Sequence, residues 1–350
     1  MSRKVTRRAP TKQSASEAIT TGSDTRRRVI IDTDPGVDDA VALLLAMRSP
    51  ELKIEAITPV AGNMPLKLTL SNALRLVEIA GRSDIPVAAG ATGPLVRRLV
   101  TATEAHGENG LGGVPFPEPK AKPVPETAVQ LICRMVRDSP GEISIITLGP
   151  LTNLAQAFRE DPRLPSMIRD ITMMGGSLSG GNMTPAAEFN FYVDPEAADV
   201  VFRSGAPLTM VGLDVTRRTV LPEQHIQTLE SASDVVGRAA GHITRAMMKR
   251  FRARGKCGPV MHDALAVAAF VDLSVVTFQK FHVEVETAGE FTAGETLGYQ
   301  RQPVRRSAVM QATKDATREN AFRPNAKVAM DVDLDRFFQL LVGRLTGQKV

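Results

Sequence analysis

Cysteine is scarce in this chain of 350 residues: there are two, Cys133 and Cys257. They make neither a disulfide framework nor a metal-ligand spacing. A chain without such a framework fits a reducing compartment, and the expectation is a cytoplasmic protein. Long apolar runs are missing as well. None reaches the roughly 18 residues of a membrane-spanning helix, so no membrane partner is expected. No signal-peptide core follows Met1. Tryptophan is absent, and no segment repeats internally.

A basic body is also lacking, although the formal net charge is +5. Residues 1–28 hold eight Lys or Arg against two acids, Glu17 and Asp24. The remainder has 35 basic and 36 acidic residues. The positive charge therefore belongs to a tail, and a nucleic-acid partner is not implied. That tail, rich in Ser, Thr and Arg and poor in apolar residues, is expected to be disordered. The chain is 43% hydrophobic and 23% charged, a globular composition. No boundary shows after residue 28, so one large domain over 29–347 is expected.

What is present is concentrated in one stretch, Val29 to Leu45. Val29-Ile30-Ile31 has the length and β-branching of a buried strand. Pro35-Gly36 forces a turn, and the apolar run from Ala40 to Met47 reads as a helix. Four carboxylates, Asp32, Asp34, Asp38 and Asp39, fall within eight residues at that turn. A single Asp there would be an ordinary helix cap. Four repel one another beyond what a helix N-terminus offsets. A hard divalent cation is the natural partner of clustered carboxylate oxygens.

The rest of the chain alternates strands and helices. Strands are expected at Lys53–Val60, Ile85–Ala88, Glu142–Leu148, Asp170–Met174 and Pro207–Leu213, with helices at Leu66–Ala80, Val124–Val136, Leu151–Phe158 and Pro195–Ser204. Further helical stretches fall at 222–230, 234–250, Asp263–Phe270 and Leu334–Leu345. Phe281–Val285, Thr296–Tyr299 and Ser307–Gln311 suggest a small late β-meander. The alternation predicts an α/β fold, with an open, mostly parallel sheet flanked by helices. In such sheets ligands bind beyond the carboxyl ends of strands. Asp34, Asp38, Asp39, Asn63, Leu148-Gly149, the loop up to Asn190, and Asp214 fall at such ends, and Met261-His262-Asp263 opens a late helix.

Asp32-Thr33-Asp34-Pro35-Gly36-Val37-Asp38-Asp39 closely resembles the N-terminal signature of the inosine-uridine type of nucleoside hydrolases. Gly149-Pro150-Leu151-Thr152-Asn153 resembles that family's mid-chain motif, and Gly181 to Asn190 its ribose-binding loop, followed by Asp194-Pro195-Glu196-Ala197-Ala198. The resemblance covers about residues 28–345. It implies a Ca²⁺-dependent enzyme that splits ribonucleosides into ribose and free base, usually a homodimer or homotetramer. Asp34, Asp39, the Leu148 carbonyl and Asp263 would hold calcium. Asp34 would also serve as general base toward water, and Asp38 would bind a ribose hydroxyl. Asn182 and Glu188 would hold the 5′-hydroxyl, and Asn190 the ring hydroxyls. His262 would face the leaving base as its acid. Asn63 and His106 are further candidates for the substrate pocket. Members of the family often place an aromatic over the base. Here Met248 to Val260 offers Phe251, crowded by Arg250, Arg252 and Arg254.

Two other classes fit part of the pattern. A strand ending in Asp-x-Asp also suits a Mg²⁺ phosphohydrolase with an Asp nucleophile, for which Thr152 is the one phosphate-site candidate. A non-catalytic nucleoside or sugar sensor would use the same pocket without turnover.

Overall fold

The computed structural model describes residues 25–300 and 323–348. The strand at the centre of the sequence reading is β1, Arg27–Thr33. Its side chains alternate between two apolar clusters: Val29 and Ile31 point into one, Ile30 into the other. That is the period-two signature of a strand buried on both faces. Arg27 and Arg28 are part of it, so the sheet starts two residues inside the stretch expected to be tail. Arg27 pairs with Asp170 and donates to the Phe270 carbonyl, and Arg28 pairs with Glu55 and Glu142.

α1 (Val37–Met47) follows, then β2 (Leu52–Pro59), α2 (Leu66–Ile79), α3 (Thr103–His106), α4 (Ala128–Asp138) and β3 (Ser144–Thr147). α5 (Thr152–Glu160), α6 (Leu164–Met167), β4 (Asp170–Met174), α7 (Phe189–Val193), α8 (Pro195–Arg203) and β5 (Leu208–Val211) continue the alternation. Next come α9 (Leu213–Thr216), α10 (Glu223–Glu230), α11 (Val235–Ala253) and α12 (His262–Val271). β6 (Val276–Val285), β7 (Thr296–Tyr299), β8 (Ala326–Val332) and a last helix, Leu334–Leu345, complete the described order.

The eight strands form one sheet in the order β2-β1-β3-β4-β5-β8-β6-β7. The pairs from β2 through β8 are parallel, and β6 and β7 join antiparallel. The expected open, mostly parallel sheet is therefore present. α1, α11, α12 and the last helix bury one face, and α4, α5 and α8 the other. α1 is buried along its whole length because it lies beneath α11 and α12, which explains its nearly unbroken apolar sequence.

Several local expectations need correction. Ile85–Ala88 is not a strand; it adds a single bridge, Val87 to Ile57, at the β2 edge. β6 begins five residues before Phe281, and β8, unanticipated, sits between β5 and β6. Ser307–Gln311 lies outside the described residues. The feature that matters for the site is the path of the chain. It leaves β1 for β2 on one side and returns to β3 on the other. The carboxyl ends of β1 and β3 thus flank a topological switch point, where open sheets form crevices.

Candidate active site

α1 begins at Val37 rather than at Ala40, because Gly36 caps it and Asp39 accepts the Gly36 N–H at 3.1 Å. Asp38 and Asp39 therefore sit in the first turn, where a helix N-terminus favours negative charge. Asp39 accepts from the Thr33 hydroxyl (2.7 Å), the Asp34 N–H (3.2 Å) and the Asn63 side-chain amide (2.9 Å). Asp34 is fully buried. Its Oδ2 accepts the Asn63 N–H at 2.6 Å, while its Oδ1 has no partner among the described residues. Two glycines make room for it. A Cβ on Gly62 would stand 2.1 Å from Asp34 Oδ2, and one on Gly149 2.7 Å from Oδ1. Asp32 is separate: Thr58 and Asn153 donate to its Oδ2, both at 2.7 Å, which ties β1 to its neighbours.

α12 supplies the opposite wall. Asp263 falls in its first turn, and one oxygen each of Asp38, Asp39 and Asp263 lie within 4.8 Å of one another. Asp38 and Asp263 share a hydrogen bond. Burial, then the neighbouring carboxylates, hold Asp34 and Asp263 well above the usual carboxylate range and raise Asp38 to about 7. None of these acids has a Lys or Arg hydrogen-bond partner among the described residues. The contrast is Asp161, clasped by Arg137 and Arg163. Buried charge needs a partner, and a cation supplies one. The orphaned Asp34 oxygen and an all-oxygen donor set fit a hard divalent ion.

The remaining wall comes from β3, β4 and α7. Asn190 donates from Nδ2 to the Leu148 carbonyl (2.8 Å) and the Met174 carbonyl (3.1 Å). Its Oδ1 is left to accept. Glu188 caps α7, accepting from the N–H groups of Asn190, Phe191 and Gly176. Asn182, exposed at the mouth, accepts from the Phe189 N–H at 2.9 Å, leaving its NH₂ to donate. His106 accepts the Val37 N–H on Nδ1 at 3.0 Å, and His262 Nδ1 lies 2.8 Å from the Thr216 hydroxyl. Loss of water around both rings lowers them to about 4, so both are neutral near pH 7.

Asp38, Asn63, His106, Leu148, Asn182, Glu188, Asn190, His262 and Asp263 line one cleft of about 80 Å³. Asp34 and Asp39 lie against Asn63 and complete the set. The residues to which the family resemblance gives a role are thus brought to one place. Asp214 is not; it accepts the Leu178 N–H and braces the loop. Thr152, the phosphate-site candidate, is buried and donates to Asp194, whose other oxygen caps α8.

The profile of the inosine-uridine preferring nucleoside hydrolases matches residues 29–339. The chain belongs to that family. As an enzyme it is an N-ribosyl hydrolase, so the sensor and phosphohydrolase readings fall. It is 40% identical over 319 residues to the pyrimidine-specific ribonucleoside hydrolase RihA of Salmonella enteritidis, spanning 91% of this chain and 97% of that one. Among solved structures it is similar to a plant nucleoside hydrolase, PpNRh1, with TM-score 0.84 and 36% identity over 91% of this chain and 99% of that one. It is also similar to a purine-preferring ribonucleoside hydrolase from Gardnerella vaginalis, with TM-score 0.81 and 32% identity over 92% and 98%.

Outward from the cleft, this nucleoside hydrolase opens into a compartment of about 550 Å³. Its lining includes Leu213, Arg217, Met247, Phe251 and Lys256, with Asp38, His106, Asn182 and His262 shared with the cleft. The arginines that crowd Phe251 in sequence are committed elsewhere. Arg252 pairs with Glu223, Arg254 donates to the Glu104 carbonyl, and Arg250 stands against Gly107. Met174 and Phe189 also line the cleft, and Thr216 braces His262. Sequence reading missed all three. Only the tertiary fold brings Thr216 to a histidine 46 residues away. No described helix is long and apolar enough to cross a membrane.

Proposed function

We propose that this nucleoside hydrolase is calcium-dependent and splits the N-glycosidic bond of ribonucleosides, giving ribose and a free purine or pyrimidine base. One observation carries the reading. Buried carboxylates without a basic partner among the described residues converge beside a cleft whose other polar side chains are amides, imidazoles and Glu188. Asp34, Asp39, Asp263 and the Leu148 carbonyl would hold the calcium. When bound, it would neutralise these acids and take oxygen ligands from water and sugar.

The protein's own groups then divide the work. Asp34 Oδ1, the oxygen without a donor among the described residues, accepts the proton of the attacking water. Asp38 accepts from a ribose hydroxyl. The amide NH₂ of Asn190 is committed to two carbonyls, so its Oδ1 accepts from a second hydroxyl. Asn182 has its NH₂ free for the 5′-oxygen, and Glu188 accepts there while fixing the start of α7. Breaking the C1′–N bond leaves positive charge on the sugar, as in glycoside hydrolysis, and the surrounding carboxylates favour it. The neutral His262 and His106 face the departing base as hydrogen-bond donors.

The pyrimidine specificity named for RihA makes uridine and cytidine the first substrates to assay, with inosine and adenosine beside them. The protein is proposed to act in the cytoplasm as a homo-oligomer. The test is release of reducing sugar from that panel, with calcium and with a chelator. Calcium-restored ribose release is expected. No release from any ribonucleoside in calcium would overturn the proposal.

A further inference from the structure

His106 and His262 come from distant segments, yet each turns its Nδ1 away from the cleft to a protein partner. For His106 the partner is the main-chain N–H of Val37, at 3.0 Å. An amide N–H can only donate, so Nδ1 must be bare and the ring proton must sit on Nε2. For His262 the partner is the hydroxyl of Thr216, at 2.8 Å. That hydroxyl belongs to a fully buried residue and has no other hydrogen-bond partner among the described residues. A buried hydroxyl proton needs an acceptor, and the one within reach is His262 Nδ1. The second ring proton is thereby placed on Nε2 too.

The support behind Thr216 is rigid. The Thr219 hydroxyl bridges the carbonyls of Thr216 and Met261, at 2.7 and 3.1 Å. The Met261 N–H returns to the Thr219 carbonyl, and Leu221 N–H to that of Pro259. The segment after α9 is therefore knotted to the residues that lead into His262.

We propose that Thr216 is a positioning residue that fixes His262 as the Nε2–H tautomer, matching His106, so that the cleft presents two preset N–H donors to the leaving base. The inference rests on the hydrolase reading and deepens it by naming how the base departs. Every natural base carries an acceptor two bonds from its glycosidic nitrogen, O2 in pyrimidines and N3 in purines. As the C1′–N bond breaks, its electron pair passes to the base. Water oxygen bonds to C1′ and gives its proton to Asp34. The two imidazoles hydrogen-bond the base anion and keep their protons, since imidazolate is a far stronger base. The anion takes its proton from solvent, and Asp34 returns one.

The test compares Thr216→Val, which deletes the hydroxyl at constant shape, with Thr216→Ser, which retains it. ¹⁵N spectra of histidine-labelled, calcium-free protein are assigned with His262→Gln. Wild type and Thr216→Ser should show a bare Nδ1 and a protonated Nε2 on His262, and Thr216→Val should lose that bias. In calcium, Thr216→Val should lower kcat on uridine or the best nucleoside roughly tenfold, the worth of one such bond, with Thr216→Ser restoring most of it. On p-nitrophenyl riboside, whose leaving group needs little help, the loss should be several-fold smaller. A proton on Nδ1 in wild type would overturn the proposal, and so would equal losses on both substrates. Wild type inert toward every riboside would instead defeat the hydrolase reading, and the ring spectra would still decide the tautomer.

Discussion

Asn63 holds Asp34 and Asp39 at once: its main-chain N–H lies 2.6 Å from Asp34 Oδ2, and its side-chain amide 2.9 Å from Asp39 Oδ2. The loop after β2 thereby aims both acids of the turn after β1. Asn63→Ala keeps the first bond and removes the second. Groups that orient ligands typically affect metal affinity 10–100-fold. Calcium affinity of Asn63→Ala, read by titration calorimetry, should fall by about tenfold. Unchanged affinity would mean that Asp39 needs no such restraint.

Asp34→Asn should stop turnover and strengthen the metal-free fold. The Asn63 N–H can still reach an amide oxygen, so the cradle of Gly62 and Gly149 stays filled. What disappears is a buried carboxylate beside Asp39 and Asp38. Its ionised form is disfavoured in the fold, so at pH 8 the amide should raise the metal-free Tm by at least ~2 °C, the effect of roughly 1.5 kcal/mol in a chain of this size. A lower Tm together with lost activity would point to misfolding rather than to a lost base.

The same acids set a pH dependence. Burial raises Asp32, Asp38 and Glu188 to about 7, and Asp34 and Asp263 well above 3.8. Between the unfolded values and about pH 7, the metal-free fold holds protons that the unfolded chain has released. Its stability from these groups is present at low pH and is lost as pH rises. His106 and His262, lowered from 6.5 to about 4, oppose this by costing stability as pH falls below 6.5. Two histidines against five carboxylates leave the acids ahead. Chelator-treated protein should therefore melt lower at pH 8 than at pH 5.5, and calcium should raise Tm more at pH 8. A metal-free Tm that climbs with pH over this range would refute the assignment.

The acidic turn was legible because its chemistry is local: four carboxylates around Pro35-Gly36 announce themselves within eight residues. The start of α1 was read three residues late, since Val37-Asp38-Asp39 breaks the apolar run, and the cap contact from Gly36 to Asp39 has no hydropathy signal. β8 escaped because Lys327 and Asp331, both exposed, interrupt its apolar alternation. Its assignment depends on β5 and β6, which no local pattern names. The roles of Asn63 and Thr216 were hidden for the same reason. Each acts through a partner more than twenty residues away.

Arg217 offers a separate test of the sugar side. It stands next to Thr216, and its guanidinium donates to the carbonyls of both Gly180 and Gly181, just before Asn182. The loop that carries Asn182 is also held by the Asp214 bond to Leu178, by two bonds between Ser177 and Thr296, by the Ala187–Glu295 bridge and by its own turns. Arg217→Ala frees the mouth of the cleft without touching the carboxylates. The expected result is a KM for ribonucleosides raised about fivefold, in keeping with one exposed hydrogen-bonded clasp, and kcat within about twofold, the pattern of lost ground-state binding. Both bonds leave from one nitrogen, Nη2, so Arg217→Lys, whose ammonium can also donate twice from one atom, should restore part of the KM. If kcat fell in step with kcat/KM while KM stayed constant, Arg217 would be acting on the transition state, and the loop would not be what it holds.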